Sequence, residues 1–123
     1  MKRILLVDDE QEICTLLSGL LARAGMSCRM AHSLAEGRSA LKTGDFDAVF
    51  VDIHLPDGLG YELIPEIKRH MPRARCVTIS AVDAERDRAM AHGADGFVAK
   101  PFSRSDIWRS LGVDPTSFPQ AKA

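Results

Sequence analysis

Five polar residues stand where they could do chemistry together: Asp8 and Asp9, Asp52, Ser80 and Lys100. Each closes a short apolar run. ILLV leads into Asp8 and Asp9, AVFV into Asp52, CVTI into Ser80 and GFVA into Lys100. A buried carboxylate is costly unless it is paired, hydrogen-bonded or metal-bound, so an acid driven to the tip of an apolar run is a site candidate. Three carboxylates held close together repel, each pair by about 4 kcal/mol at an effective dielectric of roughly 20, and need a cation to offset that. Carboxylates with a backbone carbonyl and water suit Mg²⁺, a hard ion that also accepts phosphate oxygens. Lys100 offers a point charge and Ser80 a hydroxyl donor for further oxygens. The set fits phosphoryl transfer, which is mostly positioning and charge neutralisation.

These residues act together only if the elements bring them to one place. Arg3 to Val7 reads as a buried strand. Ile13, Leu16, Leu17, Leu20, Leu21 and Ala24 recur at helical spacing and stop at Gly25, a natural helix terminator. Met26 to Ala31 is a less apolar strand, suited to a sheet edge. Ser33 and Glu36 form a capping box for a helix ending near Gly44. Phe46 to Asp52 is the third strand, followed by a Pro-Asp-Gly turn in which Asp57 is expected to shape the backbone. A helix follows from about Gly60 to His70, with Pro65 expected to kink it or shorten its regular part. Arg75 to Ser80 is the fourth strand. Asp83 is placed to cap a polar helix reaching His92, closed by Gly93. Gly96 to Ala99 is the fifth strand, and Ser103 with Asp106 opens a last helix that ends near Leu111.

Five strand–helix units in succession predict an α/β fold: a doubly wound five-stranded parallel sheet with helices on both faces. All five strand tips then share one edge, where open α/β sheets place their ligands. The domain is expected over residues 1–112, with residues 113–123, which carry two prolines and little periodicity, as a loose tail.

Composition narrows the class. The chain has 123 residues, enough for one domain with a core of its own, and 46% hydrophobic residues with 27% charged ones, as in ordinary globular proteins. A net charge of −1 argues against a nucleic-acid surface. The start, MKRILLVDDE, meets acids too early for a signal peptide, and no run approaches a membrane span, so neither membrane nor nucleic acid is an expected partner. Cys14, Cys28 and Cys76 are odd in number and widely spaced, which reads as reduced core cysteines in a cytoplasmic protein.

ILLVDDE, VDIHLPDG, TISA and GADGFVAKPF, in that order and at these spacings, resemble the receiver domain of two-component response regulators, over about residues 2–111. The resemblance implies the flavodoxin-like receiver fold with strand order 2-1-3-4-5. It implies that Asp52 accepts a phosphoryl group from a histidine kinase or histidine phosphotransfer protein. Mg²⁺ would be held directly by Asp9, Asp52 and the backbone carbonyl of His54, and through water by Asp8. Lys100 would contact the phosphoryl group, Ser80 would swing toward it, and Phe97 takes the aromatic switch position. Pro101 would follow a cis peptide bond. Such a domain catalyses only its own phosphorylation and dephosphorylation and is not an enzyme in the usual sense. The kinase is expected against the first helix, with Gln11, Thr15 and Ser18 as contact candidates. An unnamed downstream protein reads the switched surface.

The chain departs from its relatives at Phe97, often a tyrosine there, and in its short last helix, which puts pairing of two receivers through that face in question. No output domain is visible, so the chain is a lone receiver or a receiver fragment of a longer transcription factor or hybrid kinase. A phosphohydrolase of the haloacid dehalogenase type uses a similar set but wants a second aspartate where His54 stands. A degenerate interaction module would keep the fold without the chemistry, and Asp8 or Asp9 alone could serve merely as a helix cap. His54 is expected to border the site passively; His32, His70 and His92 are expected on the surface.

Overall fold

The computed structural model describes residues 2–112. The apolar runs become strands because their alternate residues bury on opposite faces of one sheet. β1 (Arg3–Val7) sends Ile4 and Leu6 to one face and Leu5 and Val7 to the other. β3 (Ala48–Asp52) does the same with Phe50 against Val49 and Val51, and every one of its residues is buried. With β2 (Ser27–Ala31), β4 (Arg75–Ser80) and β5 (Gly96–Ala99), they form a sheet in the order β2-β1-β3-β4-β5, all neighbours parallel. That is the expected order. β2 lies at an edge, where Ser27, Arg29 and Met30 face water.

Two apolar layers flank the sheet. α1 (Gln11–Arg23) and α5 (Arg104–Ser110) cover one face, burying Leu17, Leu21, Ile107 and Trp108. α2 (Leu34–Thr43), α3 (Leu63–His70) and α4 (Arg86–Ala91) cover the other, through Leu34, Leu41, Ile64, Ile67 and Ala89. α1 ends at Gly25 with φ +83° and α4 at Gly93 with φ +104°, both in the left-handed region that glycine enters without strain.

Local chemistry follows one of the two expectations at Pro65 and departs from expectation at Asp83, at Asp57, in the hairpin after β3 and at Glu36. Pro65 is the third residue of α3, where its missing N–H leaves no bond unmade. A 3₁₀ turn at Gly60–Glu62 precedes it, so the proline shortens the regular helix and does not kink it. Asp83 does not cap α4; a second 3₁₀ turn, Asp83–Glu85, intervenes, and its capping position is Val82, with no side-chain hydrogen bond. Asp57 does more than shape its turn. Its carboxylate accepts the N–H groups of Leu34 (2.8 Å) and Ala35 (3.0 Å) across the fold, which pins the loop after β3 to the start of α2. The turn itself closes a small antiparallel hairpin, His54–Leu55 against Gly58–Leu59, absent from the sequence reading. Ser33 caps α2 as expected, but Glu36 reaches back to the N–H of His32 instead of Ser33. The capping box on α5 is complete: Ser103 and Asp106 each accept the other's backbone N–H.

The three cysteines are unpaired; Cys14 and Cys76 are buried and Cys28 half-buried. No helix among the described residues is long and apolar enough to cross a membrane. The expected loose tail, residues 113–123, lies outside the described residues.

Candidate phosphoacceptor site

Asp52 is the last residue of β3 and stays at the sheet edge because the chain turns back tightly behind it. Gly60 donates its N–H to the Ile53 carbonyl at 2.7 Å, and a Cβ on Gly60 would lie 2.2 Å from the Asp52 carbonyl oxygen. Only glycine tolerates that approach. One Asp52 carboxylate oxygen, Oδ1, accepts the His54 backbone N–H at 3.0 Å; the other meets Lys100 Nζ at 3.0 Å. Asp8 follows β1, held by its own N–H to the Ala31 carbonyl (2.9 Å), and its Oδ1 accepts the Glu10 N–H at 2.9 Å. Asp8 and Asp52 are 2% and 4% exposed, so both carboxylates are taken from water and depend on what the protein supplies.

What it supplies is Lys100. Its ammonium lies 2.6 Å from Glu10 Oε1, 3.0 Å from Asp52 Oδ2 and 3.2 Å from Asp8 Oδ2. The lysine is aimed by its N–H to the Ser80 carbonyl (2.8 Å) and precedes the expected cis bond to Pro101. Burial works against its charge, but the hydrogen bonds to Glu10 and Asp52, with the charges of Asp52 and Asp8, outweigh that and raise its pKa above the ordinary lysine value. One cation still faces three acids. Burial pushes Asp8 up to about 6, assisted by the Asp52 charge and resisted by the Glu10 N–H and Lys100. Asp8 Oδ2, although near Lys100, accepts no hydrogen bond.

This donor set fits a hard divalent cation. Carboxylate oxygens of Asp8, Glu10 and Asp52 lie within 4.8 Å of one another, and one of them, on Asp8, has unused lone pairs. The converging trio contains Glu10 where the sequence reading placed Asp9. Asp9 is adjacent and exposed. Glu10 could have been found in the run DDE, whose third acid lies one residue before α1.

Ser80 ends β4, fully buried, within the same edge. Its hydroxyl hydrogen-bonds Glu85 and accepts the Val82 N–H at 3.0 Å. Glu85 in turn takes His54 Nε2 at 2.9 and 3.0 Å, so His54 is part of a bridge across the site mouth and not a bystander. Sequence reading missed Glu85, five residues past Ser80, because only the 3₁₀ turn folds it back. Phe97 is buried in the layer under α4, with the Arg86 guanidinium 4.8 Å above its ring. His32 is half-buried, its Nδ1 2.9 Å from the Asp8 carbonyl, and so is not a plain surface residue. Exposed His92 stacks on Tyr61.

The three kinase-contact candidates do not share one surface equally. Gln11 and Thr15 are exposed, whereas Ser18 is half-buried. Leu16, one of the apolar residues at helical spacing in α1, is 53% exposed beside Thr15.

The sequence profile of the response regulator receiver domain matches residues 4–111. The transcriptional regulatory protein GltR of Pseudomonas aeruginosa is 37% identical over 111 residues, 86% of this chain and 46% of its own length. The KDP operon transcriptional regulatory protein KdpE of Escherichia coli is 33% identical over 115 residues, 92% of this chain and 51% of its own. The chain thus spans about half the length of these relatives. Among solved structures, a response regulator from Burkholderia pseudomallei with a phosphorylated aspartic acid, calcium ion and citrate superposes with a TM-score of 0.84 at 28% identity, covering 95% of this chain and 70% of that one. TrrA of Thermotoga maritima, in complex with Mg²⁺ and BeF, gives 0.82 at 30% identity, over 91% of this chain and 97% of that one.

Proposed function

Because this chain belongs to the response regulator receiver domain family of two-component systems, we propose that it is a phosphoacceptor whose Asp52 takes a phosphoryl group from a histidine kinase or histidine phosphotransfer protein. An Asp52 carboxylate oxygen forms the new P–O bond as the P–N bond of the phosphohistidine breaks, its electron pair staying on the imidazole nitrogen. Lys100 holds the phosphoryl oxygens and neutralises charge as it builds. Ser80 donates its hydroxyl to the group once it is in place, and Phe97 carries the change toward α4 and β5. Asp8, Asp9, Asp52 and the His54 carbonyl would hold Mg²⁺, which when bound offsets the charge of the acids and of the phosphoryl oxygens. The domain changes only itself and turns over no other substrate.

Docking of the kinase beside the site, along α1 at Gln11, Thr15 and the edge of Ser18, fits their position in the first two turns after the acids. A downstream protein would read the α4–β5 surface. A cytoplasmic location accords with the three unpaired cysteines. Residues 1–112 form the receiver in this reading. The hydrolase alternative lacks its acid, since His54 stands in that position with its imidazole tied to Glu85.

The observation that carries the proposal is a buried strand-tip aspartate, Asp52, 3.0 Å from the ammonium of Lys100 and beside Asp8 with an oxygen that accepts no hydrogen bond. The test is intact mass after incubation with Mg²⁺ and acetyl phosphate, for the wild type and Asp52→Asn. One phosphoryl group gained, and lost both in the variant and without Mg²⁺, is the expected result. No gain from acetyl phosphate or phosphoramidate, together with no magnesium binding, would leave a receiver fold without receiver chemistry.

A further inference from the structure

The network above the acids restrains the residue that must move. Ser80 has one hydroxyl hydrogen, and that hydrogen is committed to Glu85 while the oxygen accepts the Val82 N–H. A phosphoryl group on Asp52 therefore finds no free donor at Ser80. Glu85 does not drift: His54 Nε2 braces both of its carboxylate oxygens, at 2.9 and 3.0 Å. His54 is tied to the acceptor itself, since its N–H goes to Asp52 Oδ1. The chain of contacts thus runs from Asp52 through His54 and Glu85 back to Ser80, within one site. Burial disfavours the Glu85 charge, but the hydrogen bonds from Ser80 and His54 outweigh it and hold the group ionised.

We propose that Glu85 is a positioning residue that holds the Ser80 hydroxyl in reserve, so that an incoming phosphoryl group must displace a carboxylate before it can engage the serine. This rests on the receiver reading above. Two anions compete for one proton, and the equilibrium between the two Ser80 positions is set by which of them wins. Displacement also reaches the surface. Glu85 is the last residue of the 3₁₀ turn that runs directly into Arg86, the first residue of α4, whose guanidinium covers Phe97. Releasing Glu85 releases the start of α4 and the cation over the buried aromatic ring in one movement.

The experiment is a titration of the full chain with beryllofluoride, a phosphoryl mimic, at saturating Mg²⁺, read by ¹⁹F NMR for wild type, Glu85→Ala, Ser80→Ala and the double variant. Loss of the competing carboxylate is expected to tighten binding on the order of tenfold, the scale of one charged hydrogen bond. Ser80→Ala should bind more weakly than wild type, and Glu85→Ala should give no gain in that background, because the competition needs the hydroxyl. Glu85→Gln, which keeps the shape but not the charge, should fall between wild type and Glu85→Ala. Equal or weaker binding by a folded Glu85→Ala, or an equal gain with and without Ser80, would overturn the proposal. Failure of the receiver reading shows separately, as absence of any magnesium-dependent binding by the wild type.

Discussion

Three acids share one lysine at the sheet edge, and the consequence at the scale of single residues is a site that is electrostatically incomplete. Lys100 offsets part of the repulsion between Asp8 and Asp52, but burial, with the Asp52 charge adding to it, leaves Asp8 with a raised proton affinity. The sign of the pH dependence follows. Folded Asp8 binds its proton more tightly than an unfolded aspartate, about 6 against the ordinary 3.8, so the metal-free fold loses stability as pH rises through that window. The full difference is on the order of 3 kcal/mol, of which roughly 1.4 kcal/mol falls between pH 5 and pH 8. The raised pKa of Lys100 adds stability that is lost only above the ordinary lysine range, so it is constant over that interval. The carboxylates held below their ordinary values, Asp47, Glu85, Asp95 and Asp106 among them, act only at lower pH, where protonation removes their contribution. Urea unfolding in EDTA should therefore show a more stable protein at pH 5 than at pH 8. Asp8→Asn should flatten that slope; a slope unchanged in the variant would assign it to another group.

At the scale of elements, the site depends on how tightly the chain turns behind β3. Gly60 passes so close to Asp52 that an added methyl would collide with its carbonyl oxygen at 2.2 Å and with Val51 Cγ1 at 2.8 Å, and backbone cannot yield as a flexible side chain can. Gly60→Ala should cost about 1–3 kcal/mol or more in stability, as overpacking does, and should slow phosphorylation by moving the strand tip. Chemical denaturation and the mass assay would check both. A variant of wild-type stability and rate would mean that the turn relaxes freely. The placement of Asp52, Ser80 and Lys100 was legible in the sequence because strands buried on both faces read as continuous apolar runs and each run stops at its polar residue. Glu85 and the cap that Asp57 places on α2 were not. Both depend on short turns that fold a charged side chain back onto a partner in another element, and periodicity reports burial, not where an acid returns. Leu16 shows the same limit from the other side: its spacing fits the apolar stripe of α1, yet that helix has only one covered face and Leu16 lies just past it.

For the whole molecule, the parallel sheet converts local acid repulsion into a global property. Asp52 and Ser80 end β3 and β4, and Asp8 and Lys100 directly follow β1 and β5, so the site exists only when four neighbouring strands are in place. Anything that binds the folded cluster and not the unfolded chain stabilises the entire domain. Mg²⁺ at about a hundred times its dissociation constant should add about 2.7 kcal/mol, and the melting temperature should rise by on the order of 10 °C or more for a domain of this size. The gain should be larger at pH 8 than at pH 5, because protonated Asp8 offers the ion no charge. Asp52→Asn and Asp9→Asn should each lose most of it. Glu10→Gln should keep it if Glu10 is only the resting partner of Lys100, and should lose it if Glu10 is itself a ligand. Differential scanning calorimetry of these variants, with and without the ion, therefore decides which acid beside Asp8 completes the site.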